Sequence, residues 1–333
     1  MKWNVIGHDW AARLLRRHII RDEVRHAYLF TGPPGVGRRT LALNFAMALN
    51  CLAPPAPGEF CGECRVCRQM SVLQHSDLSV VQAEKAGGVL KVEQIRDLQH
   101  SLALSPYEAR YRVALLLRFQ EANPNAQNAL LKTLEEAPQR AILLLTADSA
   151  EELLPTIVSR CEVLRLRPMP LQSLARQLEE HGLSAQDARL LAHLSGGRLG
   201  TALRLKDAPE QVEQRRVVIE DLIRLLSESR RERFAYAESI ARDRESLREI
   251  FQVWLSFWRD LMLRTACSDS GDSLPLVNLD MEAEISSLAK RVSIADARMR
   301  VADTEKGITR LDSNFNARLL TEVLMLDWPH LSP

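Results

Sequence analysis

The sequence predicts an α/β fold, a parallel sheet covered by helices on both faces, followed by an all-helical region. Three observations carry this reading. Up to about Pro168, short apolar runs alternate with amphipathic segments and few hairpin signals intervene. The glycine-rich stretch "TGPPGVGRRT" (Thr31–Thr40) joins the first apolar run to a helix, which is the context of a phosphate-binding loop. Beyond Pro168 the strand-like runs cease and only helical periodicity remains.

The elements follow in order. Residues 9–23 predict an amphipathic helix with Leu14, Leu15, Ile19 and Ile20 on one face. "AYLFTG" (27–32) reads as a buried strand ending in glycine, and "TLALNFAMALN" (40–50) as the helix after the turn. A cysteine cluster interrupts the pattern. Leu78–Val81 is strand-like, and "KVEQIRDLQHSLAL" (91–104) is a helix with Val92, Ile95, Leu98 and Leu102 on one side. "YRVALLLRF" (111–119) and "RAILLLTA" (140–147) read as buried strands. Between them "NPNAQNALLKTLEEAP" (123–138) is a helix that Asn123 can cap, with Pro124 in its first turn. A short helix and "CEVLRLRPM" finish the series. Two helices precede Gly196-Gly197, and residues 209–328 read as helical except for a long loop at Cys267–Asp280.

The 333 residues suit two or three domains. A net charge of +1 gives no general drive toward DNA, and 5% aromatic content argues against a base-stacking surface. No apolar run approaches the roughly 18 residues that span a bilayer, and the N-terminus lacks a signal-peptide pattern. Four of the six cysteines cluster, which points to metal binding in a reducing compartment rather than disulfides. A cytoplasmic protein is the expectation, with no membrane partner.

The phosphate-loop outline is G-x-x-x-x-G-K-[ST]. Gly32, Gly35 and Gly37 keep the turn possible, but Arg38 stands at the lysine position and Arg39 at the Ser/Thr position. A planar guanidinium is a poor substitute for a compact ammonium, Arg39 cannot ligate Mg²⁺, and Thr40 comes one residue late. Hydrolysis also needs an acidic residue at the end of a buried strand. Leu117 and Arg118 occupy that place, and Glu121 lies too far along. Two defects in separate motifs predict a nucleotide-binding fold kept as scaffold. ATP is expected to be neither bound nor hydrolysed.

Cys51, Cys61, Cys64 and Cys67 form a C-x9-C-x2-C-x2-C pattern. Four thiolates without an open position suit structural zinc; an iron–sulfur site and a chance group of thiols are the alternatives. His75 could lie outside as a further ligand, though a lone loop histidine is more often solvated. Ser159-Arg160-Cys161 lies between a short helix and a strand, where an arginine at a domain surface could stabilise a transferring phosphoryl group on a neighbour. Phe251, Trp254 and Trp258 at helical spacing read as core rather than as a binding patch.

"VIGHD" (5–9), "HAYLFTGPPGVGRRT" (26–40), the cysteine insert, "NALLKTLEEAP" (128–138) and "TIVSRC" (156–161) occur in this order. Together they resemble the clamp-loader branch of the AAA+ ATPases, the bacterial DNA polymerase III subunits. The resemblance implies an AAA+ domain over 1–167 with a zinc-binding insert at about 51–67, a helical lid over 168–207 and a helical collar over 208–333. It further implies a five-membered ring with tau/gamma motor subunits and a delta subunit, acting on a sliding clamp and primer-template DNA. Motor subunits keep a lysine-bearing loop, an acidic pair and a lid arginine. Here Arg38-Arg39, Leu117-Arg118 and Gly200 stand instead, and the length suits the delta-prime type. By that resemblance Arg160 is an arginine finger acting in trans, positioned by Ser159 and Cys161, in a holoenzyme component without activity of its own. The alternatives are an ATP-hydrolysing motor subunit and a purely structural adaptor. A Holliday-junction helicase motor shares the general fold, but it should keep a working loop and gives no reason for the cysteine insert.

Overall fold

The computed structural model describes residues 3, 5–85, 87–267, 274–313 and 315–331. Part of the predicted loop at 267–280, residues 268–273, lies outside them. The chain divides into two compact units, Met1–Met169 with Arg198–Thr201, and Pro170–Gly197 with Ala202–Pro333.

The first unit runs α1 (Asp9–Ile20), β1 (Ala27–Thr31), α2 (Arg38–Asn50), α3 (Arg65–Ser71), β2 (Leu78–Val81) and α4 (Val92–Leu102). It continues through β3 (Arg112–Leu116), α5 (Pro124–Glu135), β4 (Ala141–Ala147), α6 (Pro155–Val158) and β5 (Glu162–Arg165). The strands form one five-stranded sheet of order β2-β3-β4-β1-β5, with every pairing parallel. Leu29 lies opposite Leu145 on β4 and Val163 on β5, so β1 sits between them.

Alternation along these strands explains both covered faces. Tyr28, Phe30, Val113, Leu115, Ile142 and Leu144 point into one core, with Leu15 of α1, Leu41 and Phe45 of α2 and Met70 of α3. Leu29, Ala114, Leu116, Leu143 and Leu145 point into the other, with Ile95 and Leu98 of α4 and Leu130 of α5. The caps follow the local chemistry. Asn123 accepts from the Ala126 N–H at 2.8 Å, and Pro124 opens α5.

Three details depart from the sequence expectations. Ile20 is 57% exposed, because six residues at 100° each carry it well round the helix from Leu14, and α1 stops there. The β3 run is shorter than its apolar stretch. Arg118 adopts a left-handed φ of 50°, which turns the chain into a single 3-10 turn at Phe119–Glu121. The helix after the phosphate loop starts at Arg38, two residues earlier than Thr40.

The second unit is helical: α7 (Leu171–Glu180), α8 (Ala185–Leu194), α9 (Leu199–Asp207), α10 (Pro209–Ser227) and α11 (Arg230–Ile240). α12 (Arg244–Ala266), α13 (Glu282–Leu288), α14 (Ile294–Asp312) and α15 (Ala317–Leu326) complete it. The first three residues of α9 count with the first unit. Phe251, Trp254 and Trp258 are buried in a core with Ile219, Leu222 and Trp328, as their spacing predicts. Trp328 meets Trp254 edge to face at 4.8 Å. Among the described residues no helix is long and apolar enough to cross a membrane.

Candidate functional site

The carboxyl ends of parallel strands are where such sheets bind ligands, at the point where strand order reverses. Here that point lies at β1, whose loop leads into α2. The loop keeps its backbone geometry. Gly35 has φ +83°, and a Cβ there would lie 2.2 Å from Thr201 Oγ1. The Gly200 N–H donates to Gly35 O at 2.9 Å, so Arg198–Thr201 closes directly on the loop. A Cβ at Gly32 would lie 2.3 Å from Leu166 O, and Gly37, with φ +109°, starts α2. His8 Nε2–H donates to Val36 O at 2.9 Å, which ties the "VIGHD" segment to the loop.

The charge at its lysine position is spent internally. Arg38 is about nine-tenths buried, and its Nη1 donates to Asp148 Oδ1 at 2.6 Å. Asp148 follows β4, the neighbour of β1, and its carbonyl accepts from the Gly32 N–H at 3.1 Å. A guanidinium neutralised by a carboxylate at the loop offers a phosphate little net attraction. Arg39 and Thr40 are exposed on α2. At the end of β3, Leu117 is buried and Arg118 turns back, its Nε donating to Glu121 Oε1 at 2.8 Å. Glu121 also accepts from the Gly87 N–H at 2.8 Å, so it does not replace the missing acidic pair.

Arg160 lies just past α6, with its side chain 36% exposed. Its Nη1 donates to Thr156 O at 2.9 Å and lies 3.5 Å from Ser159 Oγ, while Nη2 donates to Glu135 Oε1 at 2.8 Å. Ser159 Oγ donates to the same Thr156 carbonyl at 3.1 Å. Cys161 packs against the second core, and burial pushes its thiol up to about 12, so it is an inert packing group beside the arginine.

The cysteine insert comes together in space. The Sγ atoms of Cys51, Cys61, Cys64 and Cys67 lie within 4.8 Å of one another, so the four can hold a metal ion. The Cys51–Cys61 and Cys61–Cys67 sulfur separations are 3.6 and 4.0 Å. Tetrahedral thiolates at about 2.3 Å from one ion would lie about 3.8 Å apart, so the set fits such an ion. Backbone N–H groups of Cys61, Cys64 and Cys67 donate to the sulfurs of Cys51, Cys61 and Cys64 at 3.2–3.4 Å. These donors stabilise thiolate charge: the Cys64 and Glu63 N–H groups draw the Cys61 thiol down to about 6. Burial pushes the Cys67 thiol the other way.

His75 is neither a ligand nor solvated. It is 3% exposed; its Nδ1 accepts from the Asp77 N–H at 3.0 Å and its Nε2 lies 3.3 Å from Glu108 Oε1. The sequence reading missed Asp148 and Glu135, the counter-charges of Arg38 and Arg160. Only the strand order reveals the first, because nothing in sequence spacing places the end of β4 beside the loop after β1.

A parallel β2-β3-β4-β1-β5 sheet with a glycine-rich loop after β1 and an arginine past α6 defines an AAA+ domain, one whose loop carries Arg38 and Arg39 at the lysine and Ser/Thr positions. Residues 7–170 match the family described as DNA polymerase III, delta subunit. The chain is 33% identical over 325 residues to DNA polymerase III subunit delta' of Pseudomonas aeruginosa, covering 93% of this chain and 94% of that one. It is 29% identical over 321 residues to the Bacillus subtilis subunit delta', with 94% of each chain covered. Similarity to subunit tau of Escherichia coli, 33% identical over 214 residues, covers 61% of this chain and 32% of tau. The chain belongs to the delta-prime family of DNA polymerase III, and it is a clamp-loader subunit of that type.

Proposed function

We propose that this subunit is a stator that spends no ATP itself and completes the active site of a neighbouring tau/gamma motor subunit with Arg160. One contrast carries the proposal. The chain's own loop arginine is buried against Asp148, whereas Arg160 is held at the surface with its guanidinium reachable. An arginine presented in this way can neutralise charge that develops on a transferring phosphoryl group. On this reading residues 168–207 act as the lid and 208–333 as the collar that joins the ring. The ring includes a delta subunit and loads a sliding clamp onto primer-template DNA in the cytoplasm. The four-cysteine insert holds Zn²⁺, a closed structural site that supplies folding energy and no chemistry.

The test is partner turnover. The chain is assembled with its motor and delta subunits, clamp and primed DNA, and ATP hydrolysis is compared for wild type and Arg160→Ala. A fall of about tenfold or more at the affected site, with the assembly intact by gel filtration, is expected. Unchanged turnover would leave a structural adaptor, and ATP hydrolysis by the isolated chain would favour a motor subunit.

A further inference from the structure

We infer that Glu135 is the positioning residue for Arg160; this rests on the arginine-finger reading above. Glu135 is the last residue of α5. A carboxylate is disfavoured there by the helix macrodipole and by the unsatisfied carbonyls of the last turn, so helix stability does not explain it. The local geometry gives it another role. Its Oε1 accepts from Arg160 Nη2 at 2.8 Å, while Thr156 O accepts from Nη1 at 2.9 Å. Two acceptors on different terminal nitrogens fix the plane of the guanidinium. A group with five N–H donors is thereby oriented without being used up.

The anchor is itself rigid. Leu130 and Leu134 bury the inner face of α5, and His26 Nε2–H donates to Leu134 O at 3.0 Å, one residue before Glu135. The carboxylate therefore sits on a clamped helix end, and Thr156 belongs to α6, which follows β4. Both side chains are partly exposed, at 36% for Arg160 and 53% for Glu135, so this pair adds little to folding stability. Its effect lies in orientation, and small errors in the placement of a transition-state group are expensive.

The experiment uses the complete assembled loader with Glu135→Ala, Glu135→Gln, Arg160→Ala and the double variant Glu135→Ala/Arg160→Ala. Glu135→Ala should lower kcat for ATP by about threefold to tenfold at the affected site with KM unchanged, since only transition-state placement is lost. Glu135→Gln keeps an acceptor oxygen and should recover part of the loss. The double variant should fall no further than Arg160→Ala alone. If Arg160→Ala lowers turnover and Glu135→Ala does not, the finger stands and Glu135 has no positioning role. A double variant lower than Arg160→Ala by the full Glu135→Ala factor would show that Glu135 acts independently, and would also overturn the inference. If Arg160→Ala itself has no effect, the finger reading fails first.

Discussion

Three arginines show how the counter-charge decides what a guanidinium does. Arg38 is buried against Asp148, Arg118 is folded back on Glu121, and Arg160 is tethered at the surface to Glu135. The same residue type thus pairs inside a loop, terminates a strand and presents a charge. Asp77 shows the reverse case, a fully buried carboxylate satisfied by the backbone. It accepts from the N–H groups of Tyr107, Glu108 and Ala109 at 2.7–2.9 Å. Burial pushes its carboxyl upward, but those three donors outweigh it and the net shift is down. A depressed folded pKa contributes stability that is complete above the unfolded value near 3.9 and is lost as pH falls through the folded value. Asp77→Asn should therefore destabilise the protein by about 2–3 kcal/mol at neutral pH. Urea midpoints of wild type and variant should stay apart at pH 7 and 5 and converge toward pH 3. A gap that persists unchanged at pH 3 would exclude the charge as its source. The partners of Arg38, Arg160 and Asp77 were not legible in the sequence, because each pairing joins segments that only the tertiary fold brings together; Arg118 and Glu121 are three residues apart, and their contact depends on the local turn. The defects themselves were legible, since Arg38 and Arg118 stand at positions whose chemistry requires other side chains.

Elements were legible where one physical signal dominated. β2 covers the strand-like stretch Leu78–Val81 residue for residue, and α5 starts at the Asn123 cap with Pro124 behind it. The signal failed where an apolar run outlasted its element. Leu117 and Phe119 are buried like their predecessors, yet the left-handed turn at Arg118 ends β3 before them. A charge-rich helix hid a single exception. The charge density of "RRERFAYAESIARDRESLR" marks a solvated helical face, and its other charged side chains are exposed, but within α11 Arg233 is only 3% exposed. Its Nε donates to Leu225 O, Nη1 to Met325 O and Trp328 O, and Nη2 to Leu226 O and Pro329 O, at 2.8–3.2 Å. All five donors meet carbonyls near the C-terminal ends of α10 and α15, where such groups lack helical partners. Arg233→Met should strand several buried carbonyls and cost more than about 3 kcal/mol, and Arg233→Lys, with three donors and no fork, should recover only part of it. Thermal melts of the two variants check this; a lysine variant as stable as wild type would mean that charge alone suffices.

At the scale of the whole molecule, the cysteine insert is built into the first core and is not an appendage. Phe60, Val66, Cys67 and Met70 are buried with Tyr28 and Phe45 of the sheet and α2. The Trp3 Nε1–H donates to Gly58 O at 3.1 Å, and Arg16 pairs with Glu59 at 2.9 Å. Losing an ion from the four sulfurs should therefore weaken the whole first unit and not merely loosen a loop. The second unit has a core of its own around Phe251, Trp254, Trp258 and Trp328. An ion that binds only the folded state, present at a thousandfold its Kd, stabilises by about 4 kcal/mol. For a unit of this size each kcal/mol moves the melting temperature by about 2–4 °C, so chelation should lower that transition by roughly 8–16 °C. Calorimetry with and without a strong chelator should show the first unit's transition moving and the second unit's staying in place. Cys64→Ser should behave like the chelated protein and respond no further to the chelator. If the chelator moved neither transition while elemental analysis showed the ion removed, the site would hold the insert locally and contribute nothing to the core beneath it.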